Sequence, residues 1–486
     1  MSNDYSTTFH FDDWGPPGER DLLPDEDYEI SISPKLLPSS YEYDVAVVGS
    51  GPAGHTAAIR AARLGGSVIM FEKDALGGVW LNSGCVPAKV YLEAGGAPTP
   101  GLHTALAQKN EIVTKLTSNA ARALRACRVR VEAGEATLKS AHEILCRGRV
   151  YTASNIILCG GRKFDAPPVK GYTHPGVMTM DSIFKTTESP GRLMILGGGS
   201  EGCELAAAFA AFGSNVMLVD SRTRLLGEWD GQVAEAVTRA LTSAGVKIHT
   251  GISVSEIADR NGKPYIITER GGVLCDKVLF ATGRTPDTSS LGALSSDFRF
   301  EGGTIAVNEY LETSVPGIYA AGDITGIGSR TDLAYRMAET AAVNAMGGGR
   351  LLDLRAVPRA ICTRPGAASV GMTEDEARES YGDELAVGYY PLSLSVQAMI
   401  AGETEGFVKV LIGRRHGEIA GVHIVGVRAS EMIAEPAALM KMEVTAYEVI
   451  NDISHLHPTW TEAFAEACAD ALGKSTKVLR AAASQS

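Results

Sequence analysis

The sequence predicts an α/β protein with two Rossmann-like dinucleotide-binding domains followed by a third, α+β domain. A strand, a glycine-rich turn, an alanine-rich helix and a second strand occur in this order twice, about 150 residues apart. From "VPRAICTRPGAASVG" (357–371) onward these glycine patterns stop, and alternating strands lead into a helical C-terminus. The length of 486 residues suits about three domains at roughly 150 residues each.

Composition and charge exclude several classes of protein. The net charge of −12 argues against nucleic acid or an anionic membrane surface as the main partner. No apolar run approaches the ~20 residues of a membrane span, and no signal peptide opens the chain, so we expect no membrane partner. The first 42 residues, rich in Asp, Glu, Pro and Ser, predict an N-terminal extension without a core of its own.

The cysteines predict a reducing, cytoplasmic location. They are scattered, without a CxxC pair or a Cys/His spacing typical of zinc, so no metal site is expected. For any cysteine other than Cys85, we expect a buried apolar role. The eight cysteines are at positions 85, 127, 146, 159, 203, 275, 362 and 468.

The first βαβ unit carries a complete dinucleotide fingerprint. Predicted strands at 45–48 and 67–71 flank Gly49-x-Gly51-x-x-Gly54 and a helix. The first glycine allows the turn, the second lets a pyrophosphate approach the backbone, and the third packs the helix on the strand. Glu72, at the end of the second strand, is the acid expected to hold an adenosine ribose.

The second unit repeats this pattern with Gly197-x-Gly199-x-x-Gly202, strands at 193–196 and 216–219, and Asp220. Two complete copies disfavour glycines that serve packing alone, and predict a flavin and a nicotinamide cofactor. Asp220 favours NAD(H) over NADP(H), because a carboxylate repels a 2′-phosphate. Arg222 and Arg224 follow directly and leave open the alternative that they bind that phosphate.

With these units placed, the sequence resembles the flavoprotein disulfide reductase family, and within it the dihydrolipoamide dehydrogenases, from about Tyr43 to the C-terminus. The loop "GGVWLNSGCVPAK" (77–89) is the most specific landmark. The other matching stretches are "ILCGGR" (157–162), "ATGRTPDT" (281–288), "GIYAAGD" (317–323), "LAYRMAE" (333–339), "VPRAICTRPGAASVGMTEDEA" (357–377) and "HLHPTWTEAF" (455–464).

The resemblance implies FAD, a pyridine nucleotide and a homodimer formed by the C-terminal domain. It implies an FAD-binding domain at 43–167 and 289–354, an NAD(P)-binding domain at 168–288 and a dimerisation domain at 355–486. The fingerprints and the resemblance together give these cofactor-binding residues: Gly49, Gly51, Gly54, Glu72, Gly78, Lys89, Ala136, Gly160, Gly197, Gly199, Gly202, Asp220, Gly283, Arg284, Asp323, Leu333, Ala334 and Tyr335.

The resemblance also implies a set of catalytic residues. Lys89 and Glu204 match an ion pair near flavin N5, where a lysine stabilises negative charge on the reduced flavin. His457 and Glu462 match an acid–base dyad that acts on the flavin of the other subunit. The neighbouring His455 is expected to be structural.

One position departs decisively from the family pattern. In the relatives the loop carries CxxxxC, whose first cysteine exchanges with the substrate and whose second contacts the flavin. In this chain Trp80 occupies the first position and Cys85 the second. Cys85 lies at a predicted helix N-terminus, which favours its thiolate, and Trp80 is expected to border the substrate pocket.

The nicotinamide side also departs from the pattern. Ser200 and Glu201 replace a bulky and an apolar residue there, and a carboxylate at this place disfavours negative charge on the flavin.

These features predict an FAD-dependent, NAD(P)-linked oxidoreductase that uses one thiolate and a His–Glu dyad on a sulfur-containing or other small molecule, and is not a true dihydrolipoamide dehydrogenase. Two alternatives stay open at this point. One is a diaphorase whose electrons leave the flavin directly to a quinone or oxygen. The other is a non-catalytic flavin-bound subunit of a larger complex, which does not explain the presence of the predicted catalytic charges.

Overall fold

The computed structural model describes residues 40–164 and 167–478. The predicted N-terminal extension therefore lies outside the described residues except for its last three positions.

The strands are numbered in chain order. They are β1 Tyr43–Val48, β2 Val68–Glu72, β3 Arg130–Ala133, β4 Ala136–Ser140, β5 Glu143–Cys146, β6 Arg149–Leu158, β7 Arg162–Lys163, β8 Val177–Met178, β9 Arg192–Leu196, β10 Asn215–Asp220, β11 Lys247–Thr250, β12 Val254–Arg260, β13 Lys263–Thr268, β14 Gly271–Leu274, β15 Lys277–Phe280, β16 Thr285–Pro286, β17 Phe300–Glu301, β18 Thr304–Ile305, β19 Ile318–Ala320, β20 Arg359–Ile361, β21 Gly366–Gly371, β22 Leu385–Pro391, β23 Phe407–Gly413 and β24 Ile419–Gly426.

The α-helices alternate with these strands in the first two-thirds of the chain and cluster near the C-terminus. They are α1 Pro52–Arg63, α2 Gly78–Asn82, α3 Cys85–Gly95, α4 Leu102–Ala126, α5 Met180–Ile183, α6 Ser200–Ala211, α7 Gly231–Ser243, α8 Thr331–Ala345, α9 Glu374–Tyr381, α10 Val396–Ala401, α11 Ala429–Met432, α12 Ala434–Lys441, α13 Ala446–Asn451 and α14 Glu462–Ala471.

The first βαβ unit lies in a sheet of order β3-β2-β1-β6-β5-β4, in which β19 also pairs with β6. β1 is parallel to both β2 and β6, and its residues are almost fully buried because helices cover the sheet. α8 packs on α1, and β19 joins the same sheet in parallel with β6. The chain thus returns to its first sheet after an excursion of about 160 residues between β6 and β19.

The second βαβ unit forms a parallel sheet of order β11-β10-β9-β15-β8. β9 and β10 are one residue longer at their N-terminal ends than expected, and β10 also includes Asp220. The antiparallel strands β12, β13 and β14 branch off as a separate small sheet.

The C-terminal part is an antiparallel sheet of order β20-β21-β24-β23-β22 with helices packed against it. β23 and β24 are completely buried. A buried ion pair joins this sheet to the second unit: Lys409 Nζ lies 2.6 Å from Oδ1 of Asp230, the N-cap of α7. Two parallel-sheet units and a C-terminal α+β part confirm the predicted fold class.

α1 and α6 begin at equivalent places in the two units. Gly51 caps α1 directly after β1, and Gly199 caps α6 directly after β9. Ligands of open α/β sheets bind at the carboxyl ends of the strands, so both helix N-termini point to where a dinucleotide binds. No helix in the described part of the chain is long and apolar enough to cross a membrane.

Candidate active site

A cavity of about 2110 Å³ extends from the first glycine loop to the second. Both fingerprints, the loop around Cys85 and the turn before β16 contribute to its wall. The residues that were expected to bind cofactor or substrate and that line it are Gly49, Gly51, Glu72, Gly78, Trp80, Cys85, Lys89, Ala136, Gly160, Gly197, Gly199, Glu204, Asp220, Gly283, Arg284, Asp323, Leu333 and Ala334.

The first glycine loop has the geometry that its sequence predicts. Gly49 has φ of +100°, and a Cβ there would lie 2.3 Å from the carbonyl oxygen of Cys159. A Cβ on Gly54 would lie 1.8 Å from the Gly49 oxygen, whereas one on Gly51 would meet nothing within 4 Å. The outer glycines are therefore required by packing, and the middle one leaves room for a ligand at the helix N-terminus.

The second loop reproduces this arrangement. Gly197 has φ of +110°, and a Cβ there would lie 2.4 Å from the Ala281 oxygen. A Cβ on Gly202 would lie 1.9 Å from the Gly197 oxygen, whereas one on Gly199 would meet nothing within 4 Å. The two loops differ little in backbone geometry.

The acids at the ends of the second strands have different partners. Glu72 Oε2 accepts hydrogen bonds from the backbone N–H and the Oγ of Ser50, at 2.8 and 2.5 Å. Asp220 accepts from the backbone N–H of Gly198 at 2.5 Å and from Arg222 Nη2 and Nε at 2.8 and 3.1 Å. Burial alone would raise the pKa of Asp220, but the bonds from Arg222 and Gly198 hold it below its ordinary value.

Arg224 points away from Asp220. Its Nη2 donates to the carbonyl oxygens of Gly227 and Trp229, at 2.9 and 3.0 Å. Of the two arginines that could bind a 2′-phosphate, only Arg222 lies at the acid.

The predicted Lys89–Glu204 ion pair is formed. Lys89 Nζ lies 2.5 Å from Glu204 Oε1, and the backbone N–H of Cys362 donates to the same oxygen at 2.9 Å. Burial alone would lower the pKa of Lys89, but the Glu204 carboxylate outweighs burial and raises it. Because Lys89 follows Cys85 by one turn of α3, both side chains project from one face of the helix.

Cys85 is the first residue of α3 and is exposed to the cavity. Its Sγ lies 3.5 Å from Oγ1 of Thr331, the first residue of α8. Trp80, on α2, lines the same cavity, and its indole meets the Tyr335 ring edge-on with centroids 6.3 Å apart. Tyr335 itself does not line the cavity, although Leu333 and Ala334 do. Each residue of a helix is rotated by about 100° from the one before, so three consecutive side chains cannot share one face.

The expectation of a buried apolar role is wrong for one cysteine. All eight cysteines are free thiols, and Cys362 is only partly buried, beside Lys89 and Glu204. Burial raises the pKa of the Cys362 thiol, with Lys89 opposing it. Cys468, by contrast, is completely buried, so it is closed off in the core. The strand motif around Cys362 gave no sign of this contact, because Glu204 lies 158 residues away in sequence.

The dyad is preformed but lies outside this cavity. His457 Nδ1 is 2.8 Å from Glu462 Oε1, and the backbone N–H of Thr459 donates to Glu462 Oε2 at 2.9 Å. Burial alone would raise the pKa of Glu462, yet the Thr459 and His457 bonds lower it. The His457 side chain is 60% exposed, whereas that of His455 is 9% exposed, with its Nε2 2.7 Å from Oε1 of Glu435.

Further charged groups face the space between the two loops. Arg284 Nη2 donates to the Ser83 oxygen and to Asp181 Oδ1, both at 3.3 Å. Its buried Nε has no hydrogen-bond partner among residues 40–164 and 167–478. Burial raises the pKa of Asp323 and of Glu201, against the lowering effect of nearby arginines.

The cavity fits two extended dinucleotides. The two helix N-termini, which have no Cβ at the capping glycine, and a lysine supply donors for pyrophosphates, and the acid beside each helix supplies an acceptor for ribose hydroxyls. Within the described parts of the chain, no cluster of three or more His, Cys, Asp or Glu residues is placed to hold a metal ion.

Comparison with known proteins agrees with this arrangement. The family model "Pyridine nucleotide-disulphide oxidoreductase" matches residues 43–347, and that of its dimerisation domain matches residues 357–468. A dihydrolipoyl dehydrogenase of Thermus scotoductus is 35% identical over 457 residues, covering 89% of this chain and 98% of that protein. A mercuric reductase of Bacillus cereus is 30% identical over 429 residues, covering 84% and 68% of the two chains.

A solved structure is similar over nearly its whole length. The HOCl-induced flavoprotein disulfide reductase RclA from Escherichia coli superposes with a TM-score of 0.83 at 27% identity, covering 88% of this chain and 99% of that one.

Proposed function

The chain belongs to the pyridine nucleotide-disulphide oxidoreductase family, and from this premise we propose that it is a flavoenzyme whose single active-site thiolate, Cys85, replaces the family's redox disulfide. It is an FAD-dependent oxidoreductase of the dihydrolipoamide dehydrogenase-like kind, and the family implies both FAD and a pyridine nucleotide. The use of Cys85, the His457–Glu462 dyad and a sulfur-containing small substrate is the proposal.

The observation that carries this proposal is the position of Cys85. Its thiol is exposed in the cavity, one helical turn from Lys89, while Trp80 borders the same cavity without a thiol. The helix N-terminus and the Lys89 ammonium both favour a thiolate at this place. Since the other cysteines of the protein are free thiols, Cys85 has no disulfide partner in this conformation.

Residues of both units would hold the cofactors. The Gly51 N-terminus and Glu72 would bind the FAD pyrophosphate and ribose, and Gly199 and Asp220 would bind a nicotinamide dinucleotide, with NAD(H) favoured over NADP(H). When bound, FAD passes two electrons between the pyridine nucleotide and the substrate side. Lys89 would place a positive charge beside it, and Glu204 keeps that buried ammonium paired.

The dyad would act across a subunit interface. His457 is preformed with Glu462, largely exposed, and outside its own chain's cavity, and the chain carries the family's dimerisation domain. We therefore propose a homodimer in which His457 of each chain exchanges a proton at the sulfur site of the partner. Glu462, held ionised by Thr459 and His457, would orient the imidazole and stabilise its protonated form.

The substrate would react at Cys85. A small sulfur electrophile such as a disulfide would form a mixed disulfide with the Cys85 sulfur and release a thiolate, which takes a proton from His457. Trp80 would shape the pocket and can stack on a flat substrate. No nucleic acid or membrane partner is proposed, and a reducing cytoplasm would keep the thiols free.

The visible spectrum of the purified, FAD-loaded protein tests the thiolate directly. We expect a long-wavelength charge-transfer band in the wild type that rises with pH and is absent in Cys85→Ser. His457→Ala should move the band's pH dependence, because a protonated imidazole stabilises the sulfur anion. A band that survives Cys85→Ser, or no band in the wild type, contradicts the proposal. NAD(P)H:quinone activity retained in Cys85→Ser would then favour a diaphorase.

Subunit mixing tests the composite site. Cys85→Ser and His457→Ala chains should each be inactive alone. After subunit exchange, a mixed dimer keeps one intact site, so we expect about a quarter of wild-type activity from a statistical mixture. No recovery after exchange has been verified by mass would contradict catalysis across the interface.

A further inference from the structure

Two glutamates begin α6, and they differ in their partners. Glu204 is bound by Lys89 Nζ and by the backbone N–H of Cys362. Glu201, one turn earlier, lines the cavity and accepts no hydrogen bond from any of the described residues. Glu204 is thus fixed as a counterion, whereas the Glu201 carboxyl faces the cavity without a direct partner.

The charged groups around Glu201 come from four elements. Lys89 belongs to α3, Glu204 to α6, Arg284 to the turn after β15, and Asp323 to the short 3-10 helix after β19. Both cations have other bonding partners, since Lys89 binds Glu204 and Arg284 binds Asp181 and the Ser83 carbonyl. Lys89 thus contacts Glu204, whereas neither cation contacts the carboxyl group of Glu201 or of Asp323.

These surroundings shift the protonation of Glu201 toward the neutral acid. Glu201 is exposed on the wall of the open cavity, yet the protein around the cavity partly desolvates its carboxyl group. Burial is the main cause that raises the pKa of Glu201. Of the four charged groups, Arg284 and Lys89 lower this pKa, and Glu204 and Asp323 raise it. The net effect moves the pKa of Glu201 upward from its ordinary value.

The position of Glu201 links it to the flavin charge. It lies two residues after Gly199, at the N-terminus that would bind the pyridine nucleotide, and within the charge cluster of Lys89. Negative charge that appears near Lys89 would therefore repel the Glu201 carboxylate, which has no direct counterion. A nearby like charge favours the protonated form of a carboxyl group.

We propose that Glu201 takes up one proton from solvent when the bound flavin is reduced, and releases it on reoxidation. This inference rests on the FAD of the proposed function, but not on Cys85 as nucleophile. Hydride transfer from a bound pyridine nucleotide would carry two electrons and one proton and would add one negative charge to the flavin. The proton that converts the Glu201 carboxylate to the acid cancels this charge, so atoms and charge balance without another reactant.

Redox potentiometry across pH tests the proposal with a readout other than turnover. In the wild type, we expect one more proton taken up per two electrons than in Glu201→Gln, within a pH window above the ordinary carboxyl range. At higher pH the wild-type potential should be the lower of the two, since the Glu201 anion opposes reduction. At lower pH, where Glu201 is already neutral, the two curves should converge.

Glu228→Gln is the matched control, because Glu228 is an exposed carboxylate of the same cavity wall that is not among the charged groups around Glu201. It should leave the pH dependence as in the wild type. A reduced-minus-oxidised infrared spectrum should show a protonated carboxyl band in the wild type and Glu201→Asp that Glu201→Gln lacks. Parallel curves for wild type and Glu201→Gln, or the absence of that band, would overturn the proposal.

The same measurements in Cys85→Ser separate this inference from the thiolate chemistry. If Cys85 is not the nucleophile, the Glu201-dependent proton uptake should still be present. If Glu201→Gln fails to retain flavin, the protons taken up on photoreduction are counted in the wild type and in Glu201→Asp instead. If neither protein takes up more protons than the flavin itself binds, the proposal is overturned.

Discussion

The two βαβ units share one backbone design and differ in the segment that comes after the second strand. In both, the first and third glycines are enclosed by backbone oxygens and the middle glycine is open to the cavity. After β2 the chain enters α2 and α3, which carry Trp80, Cys85 and Lys89. After β10 it enters a turn whose Arg222 folds back onto Asp220. The common frame binds a dinucleotide, and the segment after the second strand decides what chemistry is added.

The difference also extends to the acids. Glu72 accepts bonds from Ser50 in the glycine loop and from the backbone N–H of Asp74, and no cation contacts it among the described residues. Asp220 is paired with a guanidinium, so its carboxylate is already neutralised. A ribose hydroxyl that bonds to Glu72 therefore has no cation as competitor, whereas one that bonds to Asp220 competes with Arg222 for the carboxylate.

The largest expected effect comes from exchanging the first glycine of each loop for alanine. Gly49→Ala should abolish FAD retention, because its Cβ would lie 2.3 Å from a backbone oxygen at a φ that alanine rarely adopts. Gly197→Ala, equally strained, should leave the protein yellow and weaken pyridine nucleotide binding at least about tenfold. Flavin content and nucleotide titration measure the two effects. If both variants lost FAD equally, the units would not bind separate cofactors.

A link between the two halves should give the next largest effect. Asp287, which is buried after β16, binds Lys73 Nζ at 2.5 Å just after β2, and Ser289 Oγ at 2.8 Å. Burial alone would raise the pKa of Asp287, but Lys73 and Ser289 lower it to about 2. Because the folded-state pKa is depressed, the stabilisation is complete above the unfolded pKa and is lost as pH falls toward 2.

Asp287→Asn should therefore lower the free energy of unfolding by about 2 kcal/mol at neutral pH. The difference from wild type should shrink by about half near pH 3. Urea unfolding at several pH values measures this, with the exposed Asp383→Asn as a control that should change little. A destabilisation independent of pH would mean that the carboxylate charge is not its cause.

The sequence predicted the repeated frame well because each unit is encoded locally. Strand, glycine spacing, helix and acid all lie within about 30 residues, and the expected strand ends differ from the observed ones by one or two residues. The Lys89–Glu204 and His457–Glu462 pairs came from the resemblance, and both are formed. The placement of Leu333 and Ala334 in the cavity wall was also expected.

What the sequence could not predict are contacts that depend on tertiary packing. Cys362 reaches Glu204 across 158 residues and Lys73 reaches Asp287 across 214. The pairing of Arg222 with Asp220 is local, yet the sequence left Arg222 and Arg224 equivalent, because side-chain direction depends on the packed turn. Tyr335 was expected with its two neighbours, but the helix turns its ring toward Trp80 instead.

A smaller effect is expected on the preference between NADH and NADPH when Arg222, the partner of Asp220, is replaced. This effect tests the difference between Asp220 and Glu72. The wild type should bind NADH more tightly than NADPH, and Arg222→Ala should weaken NADPH about tenfold while NADH changes little, since removing the guanidinium frees Asp220 to repel a 2′-phosphate. Isothermal titration of both nucleotides measures this. Arg224→Ala is the matched control, because Arg224 binds backbone carbonyls instead of Asp220. A wild-type preference for NADPH would overturn the assignment from Asp220.

The smallest expected effect concerns the segment after β2, where a second sulfur can be restored. The wild type should show negligible dihydrolipoamide:NAD⁺ activity, because oxidising a dithiol by this chemistry requires a protein disulfide, hence two protein sulfurs, and only Cys85 is exposed in the cavity. Trp80→Cys should form a disulfide with Cys85 and gain a trace of this activity. The gain should stay small because the Trp80 indole, packed edge-on against Tyr335, leaves a gap that the smaller side chain does not fill. Trp80→Ala, which makes the same gap without a thiol, separates restored chemistry from a merely enlarged pocket. Efficient turnover of dihydrolipoamide by the wild type would show that another thiol completes the pair, and Cys362, beside Lys89 and Glu204, is the candidate.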